Sequence, residues 1–162
     1  MLTLSQKEKL YIPILASAFA NRGFDPEFGV AIARQESALD PECKNLGPGD
    51  RERGGAWGLC QVTLRTAHDL GHKAITSVDL LDPATNASIA AELCSVNAER
   101  LIGCTYSYVN GYYEDLAAMY NSGRRYSKAP WTTQSNYVPR VIGFMAAYKA
   151  ACVAYKVQPK NA

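Results

Sequence analysis

The sequence predicts a mostly α fold, organised as a single compact domain over residues 1–162. Three observations carry that prediction. The chain has 162 residues, 48% hydrophobic and 20% charged, enough to bury a core in one domain without disulfide or metal staples. Apolar residues recur at steps of three and four through six segments, the spacing of one helix face. Long apolar-polar alternation, the mark of a half-buried strand, is missing, and the β-branched residues are scattered.

The first helix is expected over 5–21. Lys7 and Lys9 ahead of the apolar run 10–20 give it the look of a short export signal. Glu8 offsets the basic residues, Pro13 interrupts the run, and Leu10, Ile14, Leu15 and Ala18 share a helical face. The run therefore reads as part of the fold, stopped by Asn21-Arg22-Gly23, and the chain as carrying no export signal of its own. Asp25-Pro26 is an N-cap followed by proline at the first helical position, so a second helix is expected over 25–39. Residues 44–55 are charged and glycine-rich and read as a loop. Further helices are expected over 63–70, 86–102, 114–120 and 136–155, with a second loop over 121–135 and a frayed tail from about 156.

Net charge is +2, too mild to point to nucleic acid. Arg124, Arg125 and Lys128, and again Lys156 and Lys160, form small basic clusters that read as solvated surface and also suit an anionic polymer. No apolar run approaches the length of a transmembrane helix. The five cysteines (Cys43, Cys60, Cys94, Cys104, Cys152) are odd in number and match no zinc spacing. They are expected as reduced thiols, with Cys94 and Cys104 able to pair only in an oxidising space. His68 and His72 stand four apart, but Gly71 interrupts that helix and no third ligand is evident, so they read as surface histidines and no metal is expected.

One carboxylate stands out. On the second helix Phe28, Ile32, Gln35/Glu36 and Leu39 fall on one face, so Glu36 continues an apolar stripe. A carboxyl held against apolar surface is costly to ionise and its pKa rises, the property required of a general acid near neutral pH. No second carboxylate has comparable placement: Asp40 and Glu42 fall at the helix end beside Pro41, and Asp50 and Glu52 sit in a loop and read as solvated. Three later segments bear on the same chemistry. Gly55-Ala56-Trp57-Gly58-Leu59-Cys60-Gln61 offers glycines for close backbone approach and an amide that both donates and accepts. Ala118-Met119-Tyr120-Asn121-Ser122-Gly123 runs from a helix end into a turn, and Asn136-Tyr137-Val138-Pro139-Arg140-Val141 opens the last helix.

Taken in order, Glu36-Ser37, Gly58-Leu59-Cys60-Gln61, Met119-Tyr120-Asn121-Ser122-Gly123 and Tyr137-Val138 resemble the signature of the soluble lytic transglycosylases. This is the goose-lysozyme-like family that cleaves bacterial peptidoglycan. Asp82-Pro83-Ala84-Thr85-Asn86 is similar to the family's lead into its next helix, and the resemblance spans about residues 9–148. It implies a lysozyme-like helical fold acting on peptidoglycan glycan strands as a monomer, without metal or cofactor. It further implies Glu36 as acid and then base, Tyr137 as its hydrogen-bond partner, and Ser37, Gly58, Leu59, Cys60, Gln61, Tyr120 and Asn121 around the substrate. Trp57 and Trp131 are expected either to stack on sugar rings or to lie in the core.

The departures are specific. Cys60 stands where the family has Met, which is expected to shrink one wall of the sugar groove, and Met119 replaces Ala. Gln61 follows Glu36 by 25 positions, longer than is typical, with the excess in the 44–55 loop. Thr133 stands where the family often has Glu, four residues before the last Tyr. A hydrolytic muramidase of the same fold and a non-catalytic wall-binding subunit are the competing readings. A wall-cleaving chain without leader or anchor is expected to be made in a host cytoplasm and to act on the wall in the periplasm. That is the pattern of a phage endolysin or virion-associated lysin, with a bacterial secretion-system enzyme as the alternative.

Overall fold

The computed structural model describes residues 4–102 and 111–155. Helix α1 (Gln6–Ala20) begins at a capping box: Ser5 Oγ accepts from the Glu8 N–H, and the Glu8 carboxylate accepts from the Ser5 N–H at 2.7 Å. The face it buries is Ile12, Leu15, Ala16 and Phe19, whereas Leu10 is exposed and Ile14 and Ala18 are only half-buried. The expected stripe was thus out of phase, because a segment apolar on most sides does not fix its own phase.

Helix α2 (Pro26–Ser37) is buried on all sides from Pro26 to Ala33 and packs mainly against α1 and the last helix, Val138–Tyr148. Its proline opens it as expected, but the Asp25 side chain makes no cap; instead the Asp25 N–H donates to the Tyr113 hydroxyl at 2.7 Å. Gly29 lets Phe19 lie directly on the helix, since a Cβ there would sit 2.3 Å from that ring. The helix ends in two consecutive non-glycine residues with left-handed backbone, Ala38 and Leu39, and the fully buried Leu39 anchors the exit.

The segment expected as a plain loop carries structure. β1 (Lys44–Asn45), β2 (Ala56–Trp57) and β3 (Val62–Thr63) form an antiparallel sheet in that order, with the four-residue helix α3 (Pro48–Arg51) between the first two. Strands of two residues leave no period to read in a sequence. Helix α4 (Leu64–Asp69) follows, capped by Thr63 Oγ1, which accepts from the Thr66 N–H. Helix α5 (Pro83–Ile102) starts three residues before the expected point. Asp82-Pro83 is a second cap-then-proline pair, and Asp82 Oδ2 accepts from the Thr85 N–H at 2.8 Å.

Helix α6 (Tyr112–Ser122) ends at Gly123 in left-handed conformation. The long last helix expected over 136–155 is broken up. A π turn, Thr133–Tyr137, leads into α7 (Val138–Tyr148), and a 3-10 turn, Val153–Tyr155, follows. Among the described residues no helix is long and apolar enough to cross a membrane. Cys43, Cys60 and Cys94 are free thiols; Cys104 and the expected frayed tail lie outside the described residues.

Candidate active site

Glu36 stands in the last turn of α2 and Tyr137 at the end of the π turn, 101 residues apart in sequence. The fold brings them into contact: the buried Tyr137 hydroxyl donates to Glu36 Oε1 at 2.5 Å. Burial is the main force on the Glu36 carboxyl and raises it. The Tyr137 donation pulls the other way, and the negative charge of Asp50 adds to the rise, leaving Glu36 titrating at about 7. The Tyr137 phenol is itself pushed well above its ordinary value, by burial first and by the adjacent carboxylate second, so it remains a donor.

Of the two, Glu36 lines a cleft enclosing about 290 Å³. Glu36, Tyr120 and Asn121 line it from the helical side, and Asp50, Gln61 and Thr63 from the sheet side. Asn121 is held by Thr133, whose hydroxyl donates to Asn121 Oδ1 at 2.8 Å. Thr133, at the position where the family often carries Glu, therefore orients a cleft residue. Gln61 adopts left-handed backbone, φ 50°, and its Nε2 donates to the carbonyls of Cys43 (3.1 Å) and Gly58 (3.0 Å). Both donations fix the amide plane, so Oε1 is the atom it can offer to a ligand.

The turn carrying Gly58-Leu59-Cys60 is fixed by one buried side chain. Asn86, on α5, donates from Nδ2 to the Trp57 and Leu80 carbonyls, each at 2.8 Å, and its Oδ1 accepts from the Cys60 N–H at 2.8 Å. Both amide donors and the carbonyl oxygen are engaged, at zero exposure. Gly58 sits against it with φ 73°; a Cβ there would lie 2.3 Å from Leu80 O and 2.6 Å from Asn86 Nδ2. The glycine is needed for packing against protein, not for approach to a ligand. Two further ties reach this turn, from Ser37 Oγ to Leu59 O (2.8 Å) and from the Tyr120 hydroxyl to Cys60 O (2.7 Å).

Several expectations change accordingly. Leu59 and Cys60 have zero exposure, so their side chains belong to the core and not to a groove wall; they enter the site through carbonyls that Ser37 and Tyr120 hold. Ser37 is spent on Leu59 O and on the Asp40 N–H, as a local cap and a tie. Trp57 is half-buried, donates to Gly54 O at 2.8 Å and lies under Lys44, so it braces the loop. Trp131 is 78% exposed, and neither tryptophan lines the cleft. His68 Nε2 pairs with Ile75 O and His72 Nε2 with Glu92, and both rings are half-buried instead of lying on the surface. Asp50, read from sequence as solvated, is half-buried in the cleft and acts on Glu36.

The sequence reading missed Asp50, Arg53, Asn45 and Thr66 as cleft residues and Asn86 as the anchor of one wall. For Asp50 and Arg53 a signal existed: charges one helical turn apart, Pro48 at a helix start, and an unusually long loop after the helix that carries Glu36.

A search of curated proteins finds no match. A family model described as the transglycosylase SLT domain matches residues 14–138. That span runs from α1 to the first residue of α7 and takes in Glu36, the sheet turn, the end of α6 and Tyr137. The chain therefore belongs to the transglycosylase SLT domain family, whose members are lytic transglycosylases that cleave the glycan strands of peptidoglycan.

Proposed function

We propose that this chain cleaves the β-1,4 bond between N-acetylmuramic acid and N-acetylglucosamine, with Glu36 as general acid and then general base. The observation that carries the reading is the pairing of a half-buried carboxyl titrating at about 7 with a buried tyrosine hydroxyl on one of its oxygens. Such a carboxyl is protonated often enough near neutrality to act as an acid and is a competent base once it has given up its proton. Glu36 delivers its proton to the glycosidic oxygen as the C1–O bond breaks. The resulting carboxylate, steadied by the Tyr137 donation, takes the proton of the muramic C6 hydroxyl. O6 then closes onto C1, giving a 1,6-anhydro end, with no water consumed and Glu36 protonated again.

Tyr137 orients Glu36. Gln61 Oε1, Tyr120 and Asn121 suit the neutral hydroxyl and acetamido groups of the sugars. In this reading the enzyme works as a monomer on the wall from the periplasmic side, delivered by a phage in lysis or carried in its virion.

One observation favours a second reading. Asp50 puts another carboxylate in the cleft, and paired carboxylates are the usual equipment for hydrolysis by an activated water. Mass spectrometry of the products from purified peptidoglycan separates the two. Muropeptides lighter by one water than hydrolytic products, absent with Glu36→Gln, are the expected result. Reducing ends would establish a muramidase and sink the C6 closure. Loss of nothing on Glu36→Gln, with wall binding intact, would make the chain a binding subunit.

A further inference from the structure

The segment between β1 and β2 places Asp50 and Arg53 on one side of the cleft, three residues apart on a single turn. Opposite charges at that spacing ordinarily pair. These two do not: no ion pair or hydrogen bond engages the Arg53 side chain among the described residues. The nearby Lys44 is already placed over the Trp57 ring. Asp50 is half-buried and faces inward, where its charge reaches Glu36. Arg53 is exposed, at the rim, and is the one cation among the residues lining the cleft. Only its backbone is tied down, by the Arg53 N–H to Asp50 O and the Arg65 N–H to Arg53 O, so the guanidinium is carried on a fixed base with its donors unused.

The substrate has a matching asymmetry. Its sugar rings offer neutral hydroxyl and acetamido groups, which suit the neutral side chains deep in the cleft. Its fixed negative charge lies off the glycan axis, on the carboxylates of the peptide stems hung from the muramic residues. A planar guanidinium binds a carboxylate with two parallel hydrogen bonds, a geometry no sugar hydroxyl reproduces.

From this we infer that Arg53 is a specificity residue that takes a carboxylate of the muramic peptide stem, so that the segment over 44–55 reads peptide-bearing strands at the rim while Glu36 works on the glycan below. This rests on the reading of the cleft as a peptidoglycan-cleaving site, and the test is built so that the two can fail separately.

The experiment is a two-by-two comparison. Wild type and Arg53→Gln are assayed on native peptidoglycan and on peptidoglycan whose carboxylates have been capped with methylamine. Capping is expected to raise KM for the wild type about tenfold with little change in kcat, and Arg53→Gln to do the same on native wall, the size expected for one charge-assisted contact. The two losses should not multiply, because both remove the same contact. Arg53→Lys, which keeps the charge and loses the fork, should fall between. Losses that multiply to about a hundredfold, or a wild type indifferent to capping, would overturn the assignment. Co-sedimentation of Glu36→Gln and of the double variant with the two walls repeats the comparison without turnover. If no wall is cleaved by any form, the catalytic reading fails, yet the sedimentation still decides whether Arg53 reads carboxylates.

Discussion

The two walls of the cleft are held by different physics. The helical wall, with Glu36 on α2 and Tyr137 before α7, rests on a core in which Phe19, Phe28, Ile32, Leu116 and Val141 have zero exposure. Such a wall is stabilised by burial spread over many side chains, and no single polar contact decides it. The sheet wall is made of strands two residues long, too short to hold themselves. It is kept in place by a handful of directed hydrogen bonds, above all the three made by Asn86. Under the proposed function the chemistry falls to the wall that is over-determined, and much of the contact with substrate to the wall that is hung from a few atoms. Substitutions should separate the two: on the helical wall the largest change is in turnover itself, and on the sheet wall it is in stability or in the pH at which turnover occurs.

The largest effect is expected from Glu36→Gln, which should lower turnover by about 10²–10⁴-fold in a wall-clearing assay, the worth of a general acid-base group. The same variant sharpens the contrast through stability. Glu36 is raised from the ordinary carboxyl value of 4.5 to about 7, so its protonated form is the one the fold favours. Its contribution is fully present below pH 4.5 and is lost as pH rises through about 7. Glu36→Gln should therefore melt higher than wild type at pH 8 and close to it at pH 4. A variant destabilised equally at both would show that burial does not govern this carboxyl.

Asn86→Ala is the corresponding blow to the sheet wall. It strands the Cys60 N–H and the Trp57 and Leu80 carbonyls, at a cost of about 2–4 kcal/mol from buried groups left unpaired. Thermal unfolding should show this as a melting point lower by roughly 5–15 °C, with helical circular dichroism retained at low temperature. Unchanged melting would mean that the turn does not depend on its anchor.

A third substitution, Tyr137→Phe, acts on the helical wall alone. Loss of a hydrogen bond to a charged group should slow turnover about tenfold to a hundredfold. Because the Tyr137 donation lowers the Glu36 pKa, its loss should also move the alkaline limb of the pH profile upward. Asp50→Asn tests whether the sheet wall speaks to the helical one through charge. Asp50 raises Glu36, so the alkaline limb should move to lower pH, with turnover a few-fold lower above neutrality and little changed below it. A profile that does not move would confine Asp50 to binding.

The same contrast explains what was legible in the sequence. Glu36 could be read because a carboxylate interrupting an apolar stripe is a local pattern, and Tyr137 and Asn121 because their motifs come in a fixed order. The helical elements, which rest on periodic burial, could mostly be placed within a few residues, and α5 and α7 missed where cap chemistry or a wide turn displaced the boundary. The sheet wall was opaque. Its strands are too short for a period, and the role of Asn86 depends on three carbonyl and amide groups from distant segments meeting at one point. Cys60 illustrates the cost of reading a motif as a surface: its position in the motif is right, but its side chain faces the core.

Length matters more than composition in the segment that delivers Tyr137. Inserting or deleting one residue in a helix turns everything beyond it by about 100°. The wide turn at Thr133–Tyr137, where the Val138 N–H reaches back five residues to Thr133 O, is in effect one extra residue already absorbed into the helix. It lets Thr133 and Tyr137 both face inward, one toward Asn121 and the other toward Glu36. Ser135 and Asn136, between them, are exposed. Removing either would leave ordinary helical pitch and put the tyrosine three residues after Thr133 instead of four, so the side chains that reach Asn121 and Glu36 would have to meet them across an altered spacing.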